Sequence, residues 1–207
     1  MENKLTELEA DALKEIGNIG SGNASTKLAD LIKEKVSLEL TNMMVISCQE
    51  VEKIYQVGED ENVVAIFLRV EGDIFGSIVT LFQKNFANNI IDLLEKKPIG
   101  TTKMIDKLSE EDFGVIGVDL AQAYLNSLMD FLGIMLKQSE PIVQVNKKSL
   151  IINFMTKGIV SSTADSVLVI KTRFIVEKYK LEGEFLLLFG LRSIEEFKRL
   201  IHEKIGV

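Results

Sequence analysis

Glycine stands at positions 17, 20 and 22 of a segment, Leu13 to Thr26 (LKEIGNIGSGNAST), whose apolar spacing is otherwise that of a helix. Each glycine inside a helix costs roughly 1 kcal/mol relative to alanine. Three so close together need a reason, either another part of the fold packed tightly against them or a partner that approaches closely. At 100° per residue, Leu5, Leu13, Ile16, Ala24 and Leu31 gather on one side, with Gly20 among them. Asp11, Glu15, Asn18 and Gly22 fall in a narrow stripe nearly opposite. Two carboxylates, an amide and a glycine therefore project together from a rigid element, where side chains are better aimed than on a loop. Polar residues opposite an apolar face are also what any surface helix carries. The glycines set this helix apart, because good helix formers would serve a plain solvated face better.

Read in order, the chain is helix, strands, helix, and then the same again. Thr6 with Glu9 forms a capping box for a first helix that runs to about Ile32. Val36 to Val51 reads as two short strands broken at Thr41-Asn42, and Val63–Val70 and Ile74–Phe82 as a hairpin around Glu71-Gly72-Asp73. Asn85 caps a short helix that stops before Pro98, and residues 97–108 form a linker. Ser109 and Asp112 open a second long helix reaching about Leu136. Strands are expected at Ile142–Val145, Ser149–Met155, Ser166–Ile175 and Glu184–Phe189, and a capping box at Ser193 and Glu196 opens the last helix.

A shift of 100 residues places Ile16-Gly17 on Ile116-Gly117, Leu28 on Leu128 and Val45 on Val145. With the matching element order, this points to one domain over residues 1–207, built of two pseudo-repeats at about 6–97 and 109–205. The expected fold is α+β: duplicated helix-plus-strands units sharing one β-sheet layer, with the two long helices packed side by side. Gly17, Gly20, Gly117 and Ala121 would let those helices come close. The same shift sets Val115 opposite Glu15 and Val118 opposite Asn18, so the second copy of the stripe has lost its polar pair. Those valines are either ordinary half-exposed surface or a partner-binding patch.

Composition removes several classes of function. A net charge of −7 argues against nucleic acid and against a polybasic membrane contact. No apolar run reaches the ~18 residues needed to span a bilayer, and the charged N-terminus lacks the core of a signal peptide, so the expected location is the cytoplasm. Cys48 and His202 are the only cysteine and histidine, which rules out intrachain disulfides, thiolate zinc sites and histidine triads. The acidic sets Glu7, Glu9, Asp11 and Glu110, Glu111, Asp112 sit where the helix dipole favours them, and no metal site is expected there. Met43-Met44, the FLLLF run at 185–189, Phe113 and Tyr124 read as core.

At the stripe the sequence resembles the CheC/CheX/FliY family of chemotaxis phosphatases, which dephosphorylate the response regulator CheY. The family signature is Asp or Ser, three residues, Glu, two residues, Asn, and a proline 23 positions on. Here it reads Asp11, Glu15, Asn18 and then Thr41, within the string EIGNIGSGNAS. Pro141 is kept in the second copy, where Val115 and Val118 make a degenerate site. The fold is shared with the middle domain of the flagellar switch protein FliM, which is not a phosphatase, so fold alone does not settle activity. The resemblance implies that Asn18 orients the water attacking an aspartyl phosphate and that Glu15 docks on the receiver's lysine. Asp11 and Gly22 would then contact the partner. It implies no cofactor of the protein's own, with Mg²⁺ supplied by the receiver substrate. The alternative it leaves is a non-catalytic adaptor that binds a response regulator or the receptor deamidase CheD.

Overall fold

The structure, a computed structural model, describes residues 5–47, 49–51, 53, 61–160 and 166–206; Cys48 falls outside them. These residues form helices α1 (Glu7–Ile32), α2 (Lys84–Leu94), α3 (Lys107–Leu132), α4 (Lys148–Val160) and α5 (Leu191–Ile205). The strands are β1 (Val36–Ser47), β2 (Asn62–Gly72), β3 (Gly76–Gln83), β4 (Leu136–Gln138), β5 (Ile142–Lys147), β6 (Ser166–Val176) and β7 (Leu181–Gly190).

The two long helices are each 26 residues long. Helix α1 begins at the expected capping box, with Thr6 Oγ1 accepting from the Glu9 N–H at 3.3 Å and the Glu9 carboxylate accepting from the Thr6 N–H at 2.7 Å. It ends on Lys33 in the left-handed conformation, φ 56°. Helix α3 is capped by Asp106 rather than by Ser109 or Asp112; the Asp106 carboxylate accepts from the Ser109 N–H at 2.9 Å. It stops at Leu132, short of the expected Leu136, because Gly133 takes a left-handed φ of 72° there and turns the chain into β4.

The strands form one antiparallel sheet in the order β1-β6-β7-β3-β2-β4, with β5 also on β2. The first strand of each half completes the other half's sheet. Strand β1 lies on β6, and β4 and β5 lie on β2, in matching register: Asn42 sits opposite Lys171 as Ile142 sits opposite Phe67. Helices α1, α2, α3 and α5 cover one face over the larger core, which includes Leu13, Ile16, Leu28, Phe113, Leu120 and Phe185. Residues Ile151 and Ile152 of α4, with Val51, cover part of the other face.

Other local expectations change. Val36 to Ser47 is one strand rather than two, with a bulge that leaves Thr41 out of the ladder between Leu40 (opposite Thr172) and Asn42 (opposite Lys171). The bulge shifts the alternation by one residue, so Leu38 and Leu40 before it and Met43 and Val45 after it reach the same core. Ser149–Met155 is helical, not a strand. Its branched residues pack onto the sheet, Ile151 and Ile152 being buried and Phe154 meeting Phe67 edge-on at 4.9 Å between ring centres. Tertiary packing overrides β-propensity there. Neither Asn85 nor Ser193 caps a helix: α2 starts after Gln83 and α5 after Gly190. Ser193 Oγ instead donates to the Phe75 carbonyl at 2.7 Å and accepts from the Phe75 N–H at 3.0 Å, tying the β2–β3 turn to α5.

Candidate functional site

Helix α1 runs unbroken through Gly17, Gly20 and Gly22, and Asp11, Glu15, Asn18 and Gly22 are all exposed on it. Opposite them Leu13, Ile16, Gly17, Gly20, Ala24, Leu28 and Ile32 are buried. Leu5 and Leu31, expected on the buried side, are only half-buried at its margin.

The three glycines have separate causes. A methyl group at Gly20 would stand 2.9 Å from the ring of Tyr124 on α3, and one at Gly17 would stand 3.1 Å from the Tyr124 hydroxyl and 3.3 Å from Leu40. These two admit a buried aromatic ring between the long helices. Gly117, expected to play the same part from α3, instead faces the sheet, where a methyl group would lie 2.5 Å from Ile66. Gly22 has nothing within 4 Å of the place a side chain would take. Nothing inside the described fold calls for a glycine there.

The helix is also fixed along its axis. Glu9 is buried, and its carboxylate meets His202 Nε2 at 3.2 Å and Lys198 Nζ at 3.7 Å, both on α5. Burial pushes this carboxyl up, but hydrogen bonds from Thr6 and the charges of Lys198 and His202 outweigh it and hold it below the ordinary glutamate range. Asn23 Nδ2 donates to Ser127 Oγ at 2.9 Å and Lys27 pairs with Asp119 at 3.5 Å, locking α1 against α3. Thr41, where the family signature has proline, donates from Oγ1 to the Lys171 carbonyl at 3.1 Å.

On this fixed frame Asp11 pairs with Lys14 at 3.3 Å. Among the described residues, neither Glu15 nor Asn18 has a hydrogen bond or ion pair from its side chain. Both are one helical step apart, solvent-facing and free to meet an external group. Leu8 and Ile19, each 44% exposed, lie along one side of the stripe; a helical wheel places them there, between the polar stripe and the buried face. On α3, Val115 is exposed and Val118 half-buried. Phe113 and Tyr124 are fully buried. No cluster of metal-binding side chains occurs among the described residues, and no helix among them is long and apolar enough to cross a membrane.

The architecture is a mixed one, an antiparallel sheet carrying a pair of long helices, with a polar stripe on the first of the pair. Residues 8–39, which contain the whole stripe, match the CheC-like family. The chain is 27% identical over 202 residues to the CheY-P phosphatase CheC of Bacillus subtilis (strain 168), covering 96% of this chain and 94% of that protein. Among solved structures it is similar to Thermotoga maritima FliY, with a TM-score of 0.74 and 18% identity over 97% of this chain and 98% of the other. It is also similar to the FliM middle domain of H. pylori, with a TM-score of 0.64 and 9% identity over 95% and 99% of the two chains. The resemblance to the CheC/CheX/FliY family read from the stripe thus extends along nearly the whole chain, in sequence and in fold.

Proposed function

We propose that this protein acts in chemotaxis as a phosphatase, hydrolysing the aspartyl phosphate of a CheY-type response regulator through α1. The observation that carries the reading is the pair Glu15 and Asn18, exposed and, among the described residues, unpartnered on a helix held by Glu9, Tyr124 and Asn23. The relation to CheC and FliY supports the same reading. A receiver domain carries its own Mg²⁺ and lysine to neutralise the phosphoryl oxygens. What it needs from a partner is a water held in line with the scissile bond, and phosphoryl transfer depends mainly on such positioning.

Asn18 fills that role. Its carboxamide oxygen accepts a hydrogen bond from the water and aims the water's oxygen at phosphorus. The new P–O bond forms as the aspartyl P–O bond breaks, the receiver's aspartate leaves as a carboxylate, and the water's proton departs with inorganic phosphate. Glu15, one step along the same face, pairs with the receiver's lysine and sets the depth of insertion. Gly22 leaves room for the receiver's backbone further along the stripe, and Asp11 contacts its margin. No general base on this chain is required.

The test is the decay of a phosphorylated CheY-type receiver alone, with the parent protein, with Asn18→Ala and with Glu15→Ala. The parent should accelerate decay, and Asn18→Ala should remove about 100-fold of that acceleration, near 2.7 kcal/mol. Glu15→Ala should act mainly on apparent affinity. No acceleration across several cognate receivers would sink the catalytic reading and favour an adaptor for a receiver or for the deamidase CheD, toward which the apolar replacements at Val115 and Val118 already lean.

A further inference from the structure

An open groove of about 650 Å³ lies between α3 and β5, at the degenerate copy of the stripe. Its apolar floor is Val115, Val118, Pro141 and Val143. Val115 is 57% exposed. Gly114 lets Pro141 come close, since a methyl group there would stand 3.3 Å from the proline ring. Val118 is held in place from behind, its carbonyl accepting from Gln138 Nε2 at 3.0 Å. In the first half, residue 40 is a leucine packed against α1 at Gly17; its counterpart here is the exposed Glu140, which stands on the rim.

The rim is acidic. Glu110, Glu111 and Glu140 border the groove against a single lysine, Lys107, while Asp119 is already paired with Lys27. The neighbouring Asp112 carboxyl is pushed up, first by burial and then by the charges of Glu95, Glu111 and Asp106, a sign of the negative field at this end of α3. An apolar floor inside a ring of like charge selects for its complement. We propose that this groove is a second docking surface, separate from the α1 stripe, and that it takes a protein segment with an apolar anchor flanked by lysine or arginine.

The test uses two short synthetic peptides, each with a central leucine–phenylalanine pair, one flanked by lysines and one by glutamates. Binding to the full-length protein is followed by fluorescence anisotropy and by backbone amide shifts. The lysine peptide should bind, move the amides of residues 110–119 and 142–143, and lose affinity as salt is raised. The glutamate peptide should not. Val115→Glu, at an exposed position that leaves packing intact, should weaken the lysine peptide about 10-fold or more, and Glu111→Lys should weaken it and flatten the salt dependence. Equal binding of the glutamate peptide, amide shifts centred on α1, or an unchanged affinity in Val115→Glu would overturn the proposal. So would self-association of the parent, seen by sedimentation, that Val115→Glu abolishes, because the occupant would then be a second copy. Because the readout is binding, failure here leaves the phosphatase reading untouched.

Discussion

Helices α1 and α3 are the same length, end in the same left-handed turn at Lys33 and Gly133, and lie on the same side of one sheet. They present opposite chemistry to solvent. Among the described residues, α1 offers Glu15 and Asn18 without partners, whereas α3 offers Val115 and Val118 beside a proline-lined groove. The backbone frame is therefore indifferent to what the exposed face does. The two helices differ in two side chains each: Glu15 and Asn18 are exposed on α1, while on α3 Val115 is exposed and Val118 packs partly against the core. Likeness to FliY and to the FliM middle domain, both at low identity, is a statement about that frame.

The sharpest way to break the contrast is to erase it. In the Asn18→Ala background, Val115→Glu with Val118→Asn should restore measurable receiver dephosphorylation, on the order of one-tenth of the parent's. Recovery would mean that the frame around α3 is still competent and that only the side chains were lost. No recovery, with the receiver still bound, would assign the difference to Pro141 and the open groove.

Next in size is the seam between the helices. Gly20→Ala pushes a methyl group into the Tyr124 ring and should destabilise the protein by about 1–3 kcal/mol, read as a lowered denaturation midpoint.

The helices are also anchored by different carboxylates. Glu9 holds α1 to α5, while Asp92, fully buried, holds the loop before α3 by accepting from the N–H groups of Gly100, Thr101 and Thr102 at 2.7–2.9 Å. Burial pushes the Asp92 carboxyl up, but the Thr102 side chain and these three N–H groups outweigh it and keep it below the ordinary aspartate range. Both carboxyls are lower in the folded than in the unfolded chain. Their stabilisation is therefore complete above the ordinary carboxylate range and is lost as pH falls through the folded values. Asp92→Asn should cost about 1–2 kcal/mol at neutral pH and flatten the loss of stability below about pH 4, as followed by denaturant melts across pH. Glu9→Gln should do the same while loosening α1, visible as faster amide exchange in its first turns.

The smallest effect has opposite signs in two assays. Gly22→Ala should stabilise the fold by about 0.5–1 kcal/mol, because nothing crowds that position, and should weaken productive contact with the receiver. A gain in stability with no loss of activity would free Gly22 from the partner and leave its presence in the stripe unexplained.

Much of this was legible in the amino-acid sequence. Helical periodicity separated Leu13, Ile16 and Ala24 from Asp11, Glu15 and Asn18, because solvent and core sort side chains on a period the wheel reproduces. The capping box at Thr6 is likewise a local pattern, and the structure carries both of its hydrogen bonds. Tertiary structure decided the rest. Whether Ile151 and Ile152 belong to a strand or a helix depends on the sheet face they cover, since branched residues suit either once buried. Thr41 reads as a break between strands until its neighbours on β6 show that one extra residue restores the alternation. The separate reasons for Gly17, Gly20 and Gly22 lie in contacts with residues far along the chain, or in their absence, and no local pattern encodes them.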